Sequence, residues 1–240
     1  MEAFSANDLY HFILFYPDLF LNKLKTDIMR TTQLLFAFIW MLPITFVAQE
    51  LKGIDEIAPF SEGLAAVRQG DQWGFINEEG ALVIDFRRDV YWNNNTDTSK
   101  SDISGVGYPM FNKGRCLITK EVEDGVPLYG FMDTKGSTVI EPQFLNVYPF
   151  KDGYTTGVLF DKTLKGENEF KLKIYEFKFF DVLLDASGNI EEYFERRQNI
   201  EMTIRRYQMP SIGAKWLANG LVAVHIEDKG WEVRKIDLAN

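Results

Sequence analysis

The sequence predicts an all-β fold: tandem β-hairpin or meander repeats that form a continuous, curled or solenoid-like sheet array, behind an N-terminal apolar signal-peptide helix. Three observations predict it. Stretches near residues 58–86, 108–144 and 148–190 can be laid on one another, with a fourth, partial copy near 216–240. Self-similarity at this period marks stacked units that share a core. Aromatic residues are abundant, with 20 Phe, 10 Tyr and 5 Trp. In runs punctuated by glycine they favour strands over helices. Finally, residues 34–47 are uncharged and almost wholly apolar, which sets them apart from all that follows.

Taken in chain order, the N-terminus comes first. Met29-Arg30-Thr31-Thr32-Gln33 precedes the apolar run, which ends at Val47-Ala48-Gln49. This is the three-part form of a secretory signal peptide. The expected organisation is an over-extended start at 1–28, a signal peptide at 29–48 and a β-repeat domain at 49–240. Phe46 sits where a small residue usually precedes the cut. The alternative is an uncleaved anchor over residues 31–49, a marginal span with Pro43 inside it. The expected location is therefore extracytoplasmic (periplasmic, cell surface or secreted), and any membrane contact runs through an uncleaved signal segment.

Each repeat opens on a polar or small residue, a further polar residue and a glycine: Ser61-Glu62-Gly63, Asn112-Lys113-Gly114, Lys151-Asp152-Gly153 and Ala218-Asn219-Gly220. Glycine there closes a tight turn before a strand. Strands are predicted at 64–67, 115–119, 154–160 and 221–226. A second turn follows at Asn77-Glu78-Glu79-Gly80, Asp133-Thr134-Lys135-Gly136 and Asp185-Ala186-Ser187-Gly188. An Asn or Asp with glycine three residues later fits a type I turn with a bulge. Each unit is then strand, hairpin, strand, hairpin, strand, in about 30 residues before insertions.

Trp73-Gly74 and Tyr129-Gly130 are the distinctive pairs. A strand glycine leaves space above the sheet that a neighbouring ring can fill. The recurrence of the rings points to packing between units, against the alternative of an exposed row stacking on sugars. At these residues the chain resembles the bacterial WG-repeat family. The likeness rests on 60–67 with Trp73-Gly74-Phe75-Ile76-Asn77 and Gly80, and on Tyr129-Gly130-Phe131-Met132-Asp133, Gly136 and 139–144 leading into Phe150-Lys151-Asp152-Gly153. The resemblance implies a β-hairpin repeat fold behind an export signal, and it brings no reaction and no catalytic residues.

Beyond residue 160 the pattern departs. The third copy offers Phe179-Phe180-Asp181-Val182 in place of the aromatic–glycine pair, and the fourth carries Trp231 followed by Glu232. Residues 190–210 read mainly as strand, from the alternation of Ile200, Met202 and Ile204, against a helical alternative. The polar stretch 93–107 reads as an inserted loop, with residues 93–98 read as a disordered insertion against the alternative of a long loop that carries function.

The composition then limits the chemistry. A net charge of −9 argues against a nucleic-acid partner. Of two histidines, His11 lies in the segment expected to be absent or removed, and His225 alternates with Val224 and Ile226 as a surface residue of a strand would. The one cysteine, Cys116, lies in an apolar strand and reads as a small buried hydrophobe. A zinc site of several His and Cys, a calcium loop and a phosphate-binding glycine loop all lack their residues. The expected site therefore holds no catalytic, cofactor-binding or metal residues. Carboxylates at Glu141, Asp152, Asp161 and Asp185 leave a glycosidase pair open. The leading expectation is a non-catalytic binding or scaffold module for another protein or a cell-envelope polymer. Carbohydrate binding or carbohydrate-directed activity through exposed aromatics and paired acids is the alternative.

Overall fold

The computed structural model divides into two compact units, Met1–Val47 and Ala48–Asn240. It describes residues 51–122, 125–197 and 200–238, together with Asp18, Asn22, Lys25, Thr26 and Met29, which are helical. The predicted signal peptide at 29–48, like the start expected at 1–28, lies almost wholly outside the described residues. Among the described residues no helix is long and apolar enough to cross a membrane.

Among the described residues the second unit holds thirteen strands: β1 (Glu56–Ile57), β2 (Leu64–Gln69), β3 (Gln72–Asn77), β4 (Leu82–Arg87), β5 (Cys116–Glu121), β6 (Pro127–Met132), β7 (Thr138–Val147), β8 (Tyr154–Glu167), β9 (Lys173–Asp185), β10 (Ile190–Arg197), β11 (Ala214–Ala218), β12 (Leu221–Ile226) and β13 (Gly230–Lys235). All pairings are antiparallel and sequential, as short hairpin connections require. The predicted all-β repeat meander is therefore the fold.

The turns explain the register. Glu62, Lys113, Asp152 and Asn219 have φ of 51–54°, and the glycine after each has φ of 71–85°. Two successive positive φ values define a type I′ turn, which matches the twist of its flanking strands. Ser61 N donates to Leu64 O and Leu64 N to Ser61 O, at 2.8 and 3.0 Å, and the turns at 112–115 and 151–154 repeat this exchange. The second turn type also forms as predicted: Gly80 N donates to Asn77 O at 3.0 Å, and the Asn77 side chain accepts from Ala81 N at 2.8 Å.

The sheet is not the continuous array the sequence predicts. It breaks into a four-stranded sheet (β1–β4), a six-stranded sheet (β5–β10) and a three-stranded sheet (β11–β13). The six-stranded sheet shows what continuity requires. β7 pairs with β6 through Phe144 and Ile140 and with β8 through Val147, so one strand serves two units. Between the first two sheets the corresponding strand stops at Arg87, and only a bridge from Val90 to Ile118 carries on the pairing.

The insertion responsible for that break holds ordered structure. Asp102 caps a short 3-10 turn (Ile103–Gly105) by accepting from Ser104 N at 3.0 Å, and Ile103 is buried. The Tyr91 hydroxyl donates to Ile103 O at 3.0 Å. The loop reading of 93–107 holds, but the disorder expected at 93–98 overlooked how the buried Ile103 anchors the insertion. Residues 190–197 form strand β10, but beyond it the alternation of Ile200, Met202 and Ile204 forms no strand: Arg206 N and Tyr207 N both donate to Thr203 O, closing a turn.

Each interface between units is an apolar cluster. Trp73, Phe75 and Ala66 of the first unit pack with Phe111, Cys116, Ile118 and Met132 of the second. Tyr129, Phe131 and Leu117 of the second meet Phe150, Val182 and Leu184 of the third. Leu183 and Tyr154 of the third meet Ala214, Trp216, Val222 and Val224 of the fourth. Units that each bury one face on the next form a one-dimensional stack.

Candidate binding surface

The signature residues locate themselves in this stack. Trp73 is 1% exposed and Tyr129 is 6% exposed, so both rings are core and neither offers a platform for a sugar. Burial pushes the Tyr129 phenol up, with further upward contributions from Tyr91 and Tyr207. The glycine beside each ring answers to a different neighbour than the sequence suggested. A Cβ on Gly74 would lie 3.0 Å from both Ile84 O and Leu82 Cδ1, and one on Gly130 would lie 2.6 Å from Pro142 N. Both glycines face strand bulges: Trp73 and Phe75 pair with Arg87 and Ile84, while Tyr129 and Phe131 pair with Phe144 and Ile140. Extra residues of the partner strand crowd toward the glycine, filling the space assigned to a ring.

Residues 53–73, 73–87 and 129–156 match the model of the WG containing repeat. The chain carries WG repeats. No curated protein and no solved structure matches it. The matched segments cover the first hairpins, both aromatic–glycine pairs and the passage from the second repeat into the third.

In the third WG repeat the aromatic position is occupied after all, by an acid. Trp73 and Tyr129 each precede the Asn or Asp of the following turn by four residues, and the residue four before Asp185 is Asp181. Asp181 is 2% exposed. Its Oδ2 accepts from Arg197 Nε at 2.6 Å, and its Oδ1 accepts from Arg197 Nη2 at 3.1 Å and Gly213 N at 2.8 Å. A buried carboxylate holds here by pairing what the rings hold by packing, and it ties in the chain leading to the fourth repeat.

The candidate acids serve turns and strand positions, and Asp161 and Asp185 stand too far apart to act as a pair. Asp185 Oδ1 accepts from Ser187 N and Asn189 N, both at 2.8 Å, and so serves its turn. Asp152 sits in a type I′ turn, and Glu141 is exposed in the bulge of β7. Asp161 lies opposite Lys178 while Asp185 lies opposite Tyr154, seven rungs away. At ~3.4 Å per residue these two are roughly 24 Å apart, beyond any glycosidase spacing. His225 is exposed on β12 with its ring centroid 5.3 Å from that of Trp231. Cys116 is buried, and burial pushes its thiol well up, which suits an inert hydrophobe.

Sequence reasoning missed a surface that gathers the exposed rings of Phe170, Tyr175 and Phe177. β8 and β9 run far past their neighbours, since β7 pairs with β8 only as far as Leu159 and β10 pairs with β9 only as far as Phe179. Residues 160–178 are therefore a two-stranded arm whose outer edges carry no further strand among the described residues. Register sorts its two faces. Phe160 opposes Phe179, Lys162 opposes Phe177 and Leu164 opposes Tyr175, which makes an aromatic face. On that face Lys162 Nζ stands 4.0 Å from the Tyr175 ring centroid, a cation–π contact. The opposite face is ionic: Glu176 meets Lys165 at 2.7 Å, Lys178 at 3.6 Å and Arg196 at 3.6 Å. The hydrogen bond from Lys165 leads in holding the Glu176 carboxyl below its usual range. The tip repeats the asparagine-led turn, with Asn168 Oδ1 accepting from Phe170 N and Leu172 N, both at 2.9 Å.

Phe177 is 40% exposed and Phe170 82%. The aromatic face forms one wall of an open groove of about 730 Å³ whose other walls include Lys120, Val122, Ile200 and Met202. Apolar walls with a few charged residues are the composition of a binding site. A second groove, of about 700 Å³, lies beside the insertion and is lined by Asn93, Thr96, Lys100, Asp102, Tyr108 and Arg115 among others.

Proposed function

We propose that this WG-repeat chain is a non-catalytic, exported binding or scaffold module, and that the β8–β9 arm with its groove is where it takes hold of another protein or a cell-envelope polymer. The observation that carries this reading is the arm: an amphipathic ribbon with exposed aromatics and, among the described residues, no strand added to either edge. Isolated hairpins are marginal in water, so such an arm gains stability from whatever covers it. Unpaired edges invite an added strand, and alternate pockets along a groove give selectivity. Export rests on the apolar segment 34–47 behind Arg30.

The test is to fractionate cells producing the full-length chain and to capture binding partners from the envelope fraction. The chain is expected outside the cytoplasm, and Tyr175→Ser with Phe177→Ser should remove the captured partner while the strand circular dichroism shows the chain still folded. A cytoplasmic chain, or capture unaffected by the double substitution, overturns the proposal. The carbohydrate reading rests on the exposed rings of Phe170 and Phe177. It predicts retention on purified envelope glycan in the absence of any protein.

A further inference from the structure

Two departures from the repeat meet at one groove. The first is the insertion: residues 88–111 join β4 to the turn at 112, where residues 148–150 make the same connection from β7 to the turn at 151. The second is Arg115. After the turn glycine the other repeats place Leu64, Tyr154 and Leu221, and this one places an arginine. Arg115 and the insertion both line the groove of about 700 Å³. Breaks in a chain's own rule that converge on a concave surface are where a binding site is expected.

Bonds within the chain fix the walls. Asp102 Oδ2 accepts from Asn146 Nδ2 of β7 at 2.9 Å, which ties the insertion to the six-stranded sheet. Gly107 packs so closely that a Cβ there would lie 2.7 Å from Thr96 Oγ1. Arg115 Nε donates to Ala186 O at 2.7 Å and Nη1 to Gly114 O at 2.9 Å. Neutral carbonyls hold the guanidinium in place and leave its charge standing.

The charges of the groove are unevenly committed. Of its acids, Glu56 meets Arg68 at 3.1 Å, and Asp102 accepts from Ser104 N and Asn146 Nδ2. Its cations Lys100 and Arg115 form no ion pair among the described residues. Hydrogen bonds from Ser99 lead in holding the nearby Asp97 carboxyl below its usual range, and Lys100 adds to them from a distance. The side chains of Asn94, Ser101 and Asn112 also line the groove, with no hydrogen-bond partner among the described residues. A chain of net charge −9 thus keeps two cations together beside amide and hydroxyl groups.

We infer that this groove takes an acidic saccharide, with its acid group against Lys100 and Arg115 and its hydroxyls among Asn94, Ser101 and Asn112. Sugar hydroxyls both donate and accept, which is what amide and hydroxyl side chains match. An acidic peptide would satisfy the cations and leave those groups unused. The site is separate from the arm, whose aromatic face lies on β8 and β9.

Isothermal titration of the full-length chain with a galacturonic acid tetramer tests this, beside a neutral galactose tetramer and a glutamate tetrapeptide. The acidic sugar should bind, and more weakly as salt is raised. Arg115→Leu, which restores the residue type of the first and fourth repeats, should weaken binding by more than about tenfold, as loss of a charge-assisted contact does. Lys100→Gln should weaken it too. Lys100 is exposed, so strand circular dichroism should stay unchanged and the loss will not reflect misfolding. Tyr175→Ser with Phe177→Ser should leave the affinity as it was. A loss in that arm variant would put the sugar on the arm and overturn the inference. So would failure of the acidic sugar to bind, equal binding of the peptide or the neutral sugar, or unchanged affinity in either groove variant.

Discussion

Gly74 and Gly130 stand beside the aromatic ring that each repeat buries, and their surroundings set different tolerances. At Gly74 one of the two closest atoms to an added Cβ belongs to the Leu82 side chain, which can turn aside, whereas at Gly130 all of them are backbone. Gly130→Ala should cost about 3 kcal/mol and Gly74→Ala about 1 kcal/mol, the range of overpacking in a tight site. Denaturant midpoints of the two variants check the order, and equal losses would contradict it. Trp73→Ala should cost about 3–5 kcal/mol because the neighbouring units cannot close on the cavity. Trp73 Nε1 is buried without a hydrogen-bond partner. Trp73→Phe keeps most of the ring and removes that orphaned donor, so it should cost less than half as much. These residues were legible in the sequence as core, through recurrence alone. The reason for the glycines was not, because a bulge is a property of the partner strand.

At the scale of elements, the turns were the most legible. Both turn types depend on local φ and on a side chain reaching its own backbone, so Asn77, Asp133 and Asp185 could be read without any tertiary context. The arm was not legible, since its length depends on where β7 and β10 stop, and no residue in 160–178 encodes that. Asp181 could have been found by counting back from the turn at Asp185; with no aromatic–glycine pair there, the segment reads only as a departure from the pattern. Its energetics are distinctive. Asp181→Ala would strand the Arg197 guanidinium beside an apolar core and free Gly213 N, a loss of about 3 kcal/mol given that Arg197 keeps some contact with water. The loss should fall on the junction with the fourth repeat. Hydrogen exchange should quicken in β11–β13 before it does in β2–β4. Uniform quickening would show instead that Asp181 supports the whole stack.

At the scale of the whole molecule, stability is distributed over interfaces between units, and that gives it a pH limit on the alkaline side. Burial raises the phenols of Tyr129 and Tyr207 above the ordinary value of 10.0. Tyr129 lies in the cluster between the second and third units, and Tyr207 packs beneath the sheet with its hydroxyl donating to Leu145 O at 3.1 Å. In the unfolded chain both ionise near the ordinary value, while in the folded chain both stay neutral. Their contribution is therefore intact below about pH 10 and declines as pH rises above it, by about 1.4 kcal/mol per pH unit for the buried Tyr129. Neighbouring units share these clusters, so loss of one interface should propagate along the stack. Phenolate absorbance from the buried tyrosines should appear together with loss of the strand circular dichroism, in one step. Tyr129→Phe should move that step to higher pH. Phenols that titrate near pH 10 with the dichroism unchanged would show that water reaches these rings in the folded chain, and the core between the second and third units would have to be looser than its packing indicates.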